Sequence, residues 1–223
     1  MSCVLCIWRF RMDVIYFGSR EIYGDFYTAI RSLLAHNPDA RVYTITEDAD
    51  PFYDLPVHNI IWKWQDYFNE LNTRTKWRQF GPIRAAFTKL FPHHDKILSI
   101  DCDTIVTRDI SELWDFDLDG CHVAMTKERY YTWDGRPYYN NGICLMDLRR
   151  MREDGVDDLM IRELNKTVYK YVGQDVMQLY LKIKDLPSTY NACKFTHPVL
   201  DPAIIHYADR RDWRDLPEVK RYR

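Results

Sequence analysis

The chain of 223 residues has no apolar run long enough to cross a bilayer. Its first residues, MSCVLCIWRF, are too short and too poorly flanked for a secretory leader. Neither sign of charge is in excess: 31 Lys and Arg stand against 33 Asp and Glu, a formal net charge of -2. That balance excludes a general electrostatic pull toward nucleic acid or an anionic membrane. Repeats, low-complexity tracts and an interdomain linker are missing, so one domain is expected. Cysteine is sparse, with Cys3, Cys6, Cys102, Cys121, Cys144 and Cys193 making six. Cys3 and Cys6 form a C-x-x-C with no second pair, which is too little for a four-thiolate zinc site. Cys102, Cys121 and Cys144 lie in apolar runs, where cysteine acts as a small hydrophobe. A cytoplasmic protein with reduced thiols is the expectation.

What is present is a soluble globular composition, 46% hydrophobic and 29% charged. Aromatics reach 15%, with many Tyr and Trp. Such residues serve core packing, and they also stack on rings and hydrogen-bond sugars. DVIYFGS (13–19), YGDFYTAIRSLLAHNP (23–38) and ARVYTITED (40–48) read as strand, helix and strand, a parallel βαβ unit. VHNIIW (57–62) reads as a third strand. A basic aromatic stretch (62–81) reads as helix and loop, and PIRAAFTKLFP (82–92) as a helix bracketed by prolines. Strands are expected at 95–101, 121–126 and 138–148, a short helix and turn at 109–120, and helices at 156–171 and 174–183. PAIIHYADRRDW (202–213) reads as a strand ending in a charged loop. The fold class is therefore α/β, with one mixed central sheet and helices on both faces. The expected division is an extension (1–12), one domain (13–213) and a basic tail (214–223).

ILSIDCDTIV (97–106) carries the chemistry. Two carboxylates one residue apart at a strand end repel each other unless a cation lies between them. Three readings apply: an aspartyl phosphatase with a nucleophilic first Asp, a glycosyltransferase whose aspartates hold a metal on a donor diphosphate, or an ordinary solvated turn. The phosphatase motif belongs on the first strand, whereas here about a hundred residues and a whole βαβ unit precede it.

From residue 13 to 213 the chain resembles glycosyltransferase family 8, retaining enzymes of the GT-A, Rossmann-like fold. YFGSREIYGDFYTAIRSLLAHNP resembles the family's first strand and helix. PIRAAFTKLFPHHDKILSIDCDTIVTRDISELW resembles its Arg-bearing helix and metal strand. YYNNGICLMDLRRMRE is similar to the strand lining the donor sugar, GQDVMQLYL to a D-Q-D helix start, and IIHYADRRDW to the closing motif. The resemblance implies Asp101, Asp103 and His206 as metal ligands for Mn²⁺ or Mg²⁺. It implies Ser19, Tyr23, Arg84, Asn140, Gly142, Arg210 and Arg211 around a nucleotide-sugar donor, with Tyr23 stacked on the base. Gln174, Asp175 and Arg84 are the implied catalytic residues, with Gln174 beside the anomeric carbon.

Two departures stand out. Gly173 replaces the first Asp of D-Q-D, which puts sugar choice or rate in question. The closing motif is one residue short and lacks its Gly and Lys, for which Arg210 or Arg211 substitutes as a fork rather than a point charge. The stretch HYADRRDWRD lacks apolar residues to hold it shut and is expected to fold over the diphosphate only with donor and metal bound. The expected activity is metal-dependent, retaining transfer of a hexose from a UDP-sugar to an acceptor hydroxyl. The alternatives are a non-catalytic nucleotide-sugar-binding protein of the same fold, and a transferase acting on a hydroxylated nucleic-acid base through TRTKWRQF (73–80) and KRYR (220–223). Saccharide, glycolipid, protein and nucleic acid all remain open as acceptor.

Overall fold

The computed structural model describes residues 12–74 and 78–223. The N-terminal extension up to residue 11, with Cys3 and Cys6, and residues 75–77 of the basic segment lie outside the described residues. The chain begins with β1 (Asp13–Phe17), α1 (Tyr23–His36), β2 (Arg41–Thr46) and β3 (Val57–Ile61). A 3-10 turn at Ile83–Ala86 runs into α2 (Phe87–Leu90), β4 (Lys96–Ile100), β5 (Thr104–Val106) and α3 (Ser111–Trp114). A long hairpin, β6 (Val123–Trp133) and β7 (Arg136–Asp147), leads to α4 (Leu148–Glu153), α5 (Val156–Leu164) and α6 (Val172–Tyr180). β8 (Ile183–Asp185), β9 (Ile204–His206) and α7 (Pro217–Lys220) follow.

Seven strands form one mixed sheet in the order β3-β2-β1-β4-β7-β6-β8. β1, β2 and β3 run parallel, as the βαβ pattern requires, while β7 is antiparallel to both β4 and β6. Side chains alternate between two buried layers. Ile97, Cys144 and Met146 join Phe87 and Phe91 on one face, while Leu98, Ile100, Ile143 and Leu145 join Phe26 and Leu33 on the other. Burial on both faces explains why β4 and β7 read as near-continuous apolar runs.

Besides the split of the 82–92 helix and the longer β6, three features differ from the sequence pattern. β9 does not enter the main sheet but pairs antiparallel with β5 in a separate ribbon, Thr104 opposite His206. The predicted helix 156–171 stops at Leu164, because Asn72 Nδ2 donates to the carbonyls of Leu164 (2.6 Å) and Thr167 (2.8 Å). Asn165 then ties this end to the Tyr67 carbonyl (2.9 Å) and the Asn69 amide (2.7 Å). Carbonyls captured by side chains no longer continue a helix. The tail beyond 213 is not a separate appendage: Val219 is fully buried with Ile105, Tyr207 and Trp213. Among the described residues, no helix is long and apolar enough to cross a membrane.

Candidate active site

β4 ends at Ile100 and the chain passes through Asp101, Cys102 and Asp103 into β5. In the bend between them Cys102 turns into the core, while Asp101 and Asp103 stay partly exposed and line the cleft. The turn is fixed by its backbone: the Asp101 amide donates to the Gly142 carbonyl (2.8 Å), the Tyr207 amide to the Asp103 carbonyl (2.9 Å). The β5–β9 ribbon brings His206 alongside, its Nε2 3.3 Å from Asp103 Oδ1 and 3.8 Å from Asp101 Oδ2. One ligand atom from each of the three lies within 4.8 Å of the others.

The histidine is oriented from behind. His206 Nδ1 lies 2.8 Å from Asn191 Oδ1. Asn191 Nδ2 donates to Asn140 Oδ1 (2.9 Å), so the Asn191 oxygen is the acceptor and Nδ1 carries the proton. Once Nε2 gives up its own proton it can offer its lone pair toward the two aspartates, the arrangement of a metal-binding histidine with a second partner. Burial works against charge on both His206 and Asp103, but their mutual attraction outweighs it. The imidazole is held well above its ordinary pKa and the carboxylate below its own. Removing a proton from that imidazole frees an acid-acid-imidazole set suited to a hard or borderline divalent ion.

Arg84, on the 3-10 turn before α2, is almost fully buried. It donates to Asp101 Oδ1 (2.7 Å) and to Ser99 Oγ (3.2 Å), with its guanidinium 4.6 Å from the Phe17 ring centre. A cavity of about 600 Å³ runs from these groups past Asn140 and Gly142 to Gln174, with Tyr130, Tyr131, Tyr138, Tyr171 and Phe195 along its walls. A second cavity of about 380 Å³ shares Phe17, Asp101 and Asp103 with the first and is lined by Ser19, Ile22, Arg210 and Arg211. The two aspartates therefore stand at the junction of one cleft.

Most of the residues singled out from sequence meet there: Ser19, Arg84, Asp101, Asp103, Asn140, Gly142, Gln174, His206, Arg210 and Arg211. Two do not line it. Tyr23 donates to Asp48 (3.0 Å) and packs edge-on against Phe26 and Phe52, so the neighbouring Ile22 faces the cleft in its stead. Asp175 is buried, with one oxygen accepting from the Tyr138 hydroxyl and the other from the Tyr171 amide (2.9 Å), which spends its carboxylate on the start of α6. Sequence reasoning missed Glu128, Asn191 and Arg214. Asn191 carried no pattern signal, and Arg214 stood one residue past the motif read as the domain's end.

Gly173 has a steric reason. A Cβ there would lie 2.5 Å from the Gly81 carbonyl oxygen, so any side chain, aspartate included, is shut out by backbone. The closing stretch is also better anchored than its composition suggests. Trp213 is buried and stacks on Tyr207 at 5.3 Å, and Arg214 grips Asp25 of α1 with two bonds, one of 2.6 Å. Between His206 and Trp213 the chain is held by buried Tyr207 and by a Lys194–Asp209 pair (3.0 Å), while Arg210 pairs with Asp212 (3.0 Å).

A model of the family described as Glycosyl transferase family 8 matches residues 27–214. A probable glycosyl transferase Gly of Streptococcus gordonii is 25% identical over 216 residues, covering 86% of this chain and 31% of that protein. A lipopolysaccharide 1,2-glucosyltransferase of Escherichia coli K12 is 27% identical over 236 residues, covering 91% of this chain and 65% of the relative. The chain thus spans about a third of the length of the first and just under two thirds of the second. Among solved structures, galactosyltransferase LgtC in complex with donor and acceptor sugar analogues matches with a TM-score of 0.75 at 19% identity, over 95% of this chain and 94% of that one. That likeness establishes a shared GT-A fold.

Proposed function

The chain belongs to glycosyl transferase family 8, and from that premise we propose that its cleft moves a hexose from a UDP-linked donor to an acceptor hydroxyl, with retention at the anomeric carbon. One observation carries the reading. Asp101, Asp103 and His206 converge where two halves of a cleft meet, one half rich in amides and aromatic rings, the other bearing Arg210 and Arg211. The first half suits a sugar and the second a nucleotide diphosphate.

Asp101, Asp103 and His206 would hold a Mn²⁺ or Mg²⁺ ion. Side-chain separations of 3.3 and 3.8 Å are near the ~3 Å between adjacent ligands around an ion with bonds of about 2.1 Å. When bound, the ion supplies charge neutralisation to the departing diphosphate. Arg84 holds the Asp101 carboxylate in place through its buried guanidinium. Arg210 and Arg211 receive negative charge as it develops on the leaving group. Gln174 accepts from the Asn141 amide (3.3 Å), which fixes its carboxamide beside the sugar half of the cleft. It orients the anomeric centre without attacking it, since an amide is a poor nucleophile. Retention then follows from attack by the acceptor hydroxyl on the face the diphosphate leaves, with a phosphate oxygen taking the proton.

The test is thermal stabilisation by Mn²⁺, by UDP and by both. Wild type should gain far more from the pair than from either alone, because the diphosphate and the ion complete each other's coordination. Asp103→Asn should fold and lose that synergy. No synergy in wild type, or full synergy in Asp103→Asn, overturns the assignment.

A further inference from the structure

The sugar half of the cleft contains a carboxylate with no assigned task. β6 and β7 pair at Lys127 with Tyr139 and again at Thr132 with Pro137, so residues 128–131 bulge out opposite a single residue of β7. A bulge of this kind turns side chains away from the alternation of the ladder and is common beside active sites. Here it sends Glu128, Tyr130 and Tyr131 into the cavity wall. Its position is fixed, because the Arg129 amide donates to the Phe195 carbonyl (2.8 Å) across the cleft rim.

Glu128 is half-buried and forms no ion pair with any described residue. Its Oε1 accepts from Asn140 Nδ2 (3.3 Å) and from Gln174 Nε2 (3.2 Å). Oε2 has no hydrogen-bond partner among the described residues. Burial raises its pKa, and the two amides only partly offset that. A carboxylate kept from cations, with one oxygen anchored and the other open to a cavity, is costly unless a ligand donates to it. Asn140 also links it, through Asn191, to His206, so the open oxygen is held in register with the metal ligands.

We propose that Glu128 is the specificity residue of the donor sugar site, its Oε2 accepting a hydrogen bond from a hexose hydroxyl. The inference rests on the donor reading above. It supplies from β6 the acid that the backbone contact between Gly81 and Gly173 keeps out of α6. A site with a fixed, charged acceptor rejects a sugar whose hydroxyl points elsewhere, because the open oxygen is then left without a donor in place of water.

Calorimetric titration in Mn²⁺ of UDP, UDP-glucose, UDP-galactose, UDP-xylose and UDP-N-acetylglucosamine tests this without knowing the acceptor. Wild type should prefer one sugar over the others by about tenfold or more, the scale of one lost hydrogen bond to a charged group. Glu128→Gln, isosteric but neutral, should bring that preference below about threefold and leave the affinity for UDP itself within about twofold. Glu128→Asp, which keeps the charge but withdraws it, should weaken the preferred sugar and preserve the order. It carries the test if the glutamine variant melts too low to use. Equal binding of all four sugars by wild type overturns the proposal. So does undiminished preference in Glu128→Gln, or an equal loss of UDP and UDP-sugar affinity, which would mark a merely structural role. Failure of wild type to bind UDP at all would instead sink the donor reading on which the proposal stands.

Discussion

Replacing Gly142 by alanine adds a single methyl group at the most crowded point of the site. A Cβ built there lies 2.2 Å from His206 Cε1, 2.5 Å from Nδ1 and 3.0 Å from Nε2. The ring must retreat by about 1 Å to reach ordinary contact distance, and such a shift at a site of this kind costs on the order of 100-fold in function. Retreat is obstructed, because the imidazole is buried and bound to Asn191, which is itself fully buried. The strand cannot yield easily either, since the Gly142 carbonyl receives the Asp101 amide. Gly142→Ala should therefore lose about 1–3 kcal/mol of stability, the usual cost of overpacking. It should also weaken Mn²⁺ binding in the presence of UDP by about 10- to 100-fold, as loosened support of a ligand does. Chemical denaturation and Mn²⁺ titration report the two effects. The decisive control is Gly142→Ala/His206→Ala. With the ring gone, the added methyl should cost little, giving a coupling of about 1–3 kcal/mol between the sites. Additive losses in the double variant, or wild-type metal binding in Gly142→Ala, would refute the steric reasoning.

Two further outcomes follow from the same contacts. Asn191→Ala removes the acceptor that sets the His206 tautomer, so Mn²⁺ affinity with UDP present should fall about 10- to 100-fold, read by calorimetry. Asp157 is buried, and although burial disfavours its charge, the Thr88 hydroxyl and Lys89 (3.1 Å) outweigh that and hold its pKa below the usual range. Its contribution is therefore present above the unfolded pKa of about 3.9 and is lost as pH falls through the lower folded value. Asp157→Asn should cost about 1–3 kcal/mol near pH 7 and less in acid, which urea midpoints at pH 6 and pH 3 measure. An unchanged difference between the two pH values refutes it.

The sheet was legible because its strands are short apolar runs punctuated by Gly, Pro and Asn, and burial on both faces leaves little room for ambiguity. The D-G dipeptide at Asp134-Gly135 is a turn signal that the sequence reading did not use, and the strand expected at 121–126 stopped well short of it. Both residues have positive φ, 53° and 73°, which closes the hairpin tightly and lets β6 and β7 run to eleven and twelve residues. Glu128 was missed for that reason: in sequence it sits among KERYY, a polar loop by composition. Only the register slip between Lys127 and Thr132 puts it in the cleft. Gly173 posed the opposite problem. Its departure from the family pattern was visible, but its cause is a carbonyl oxygen of Gly81, more than ninety residues earlier, and no local pattern announces a backbone contact. The end of α5 likewise depended on Asn72, a side chain from a distant loop.

The β5–β9 ribbon has a temporal consequence. It is three residue pairs long, and it joins the strand that follows Asp103 to a histidine about a hundred residues further on, a closure whose entropy cost is met only when that distant segment docks. Up to that moment Asp101 has Arg84, but the two aspartates have no imidazole beside them. On the proposed function the ion site would be a checkpoint on assembly: a chain that has folded its sheet but not docked β9 lacks His206 beside the two aspartates. Ligand capture selects the finished molecules, and at a concentration of ligand about 100 times its dissociation constant it secures them by about 2.7 kcal/mol. A short ribbon would then become a firm fastening when donor and ion arrive, so the same contact that assembles the site would also register that assembly is done.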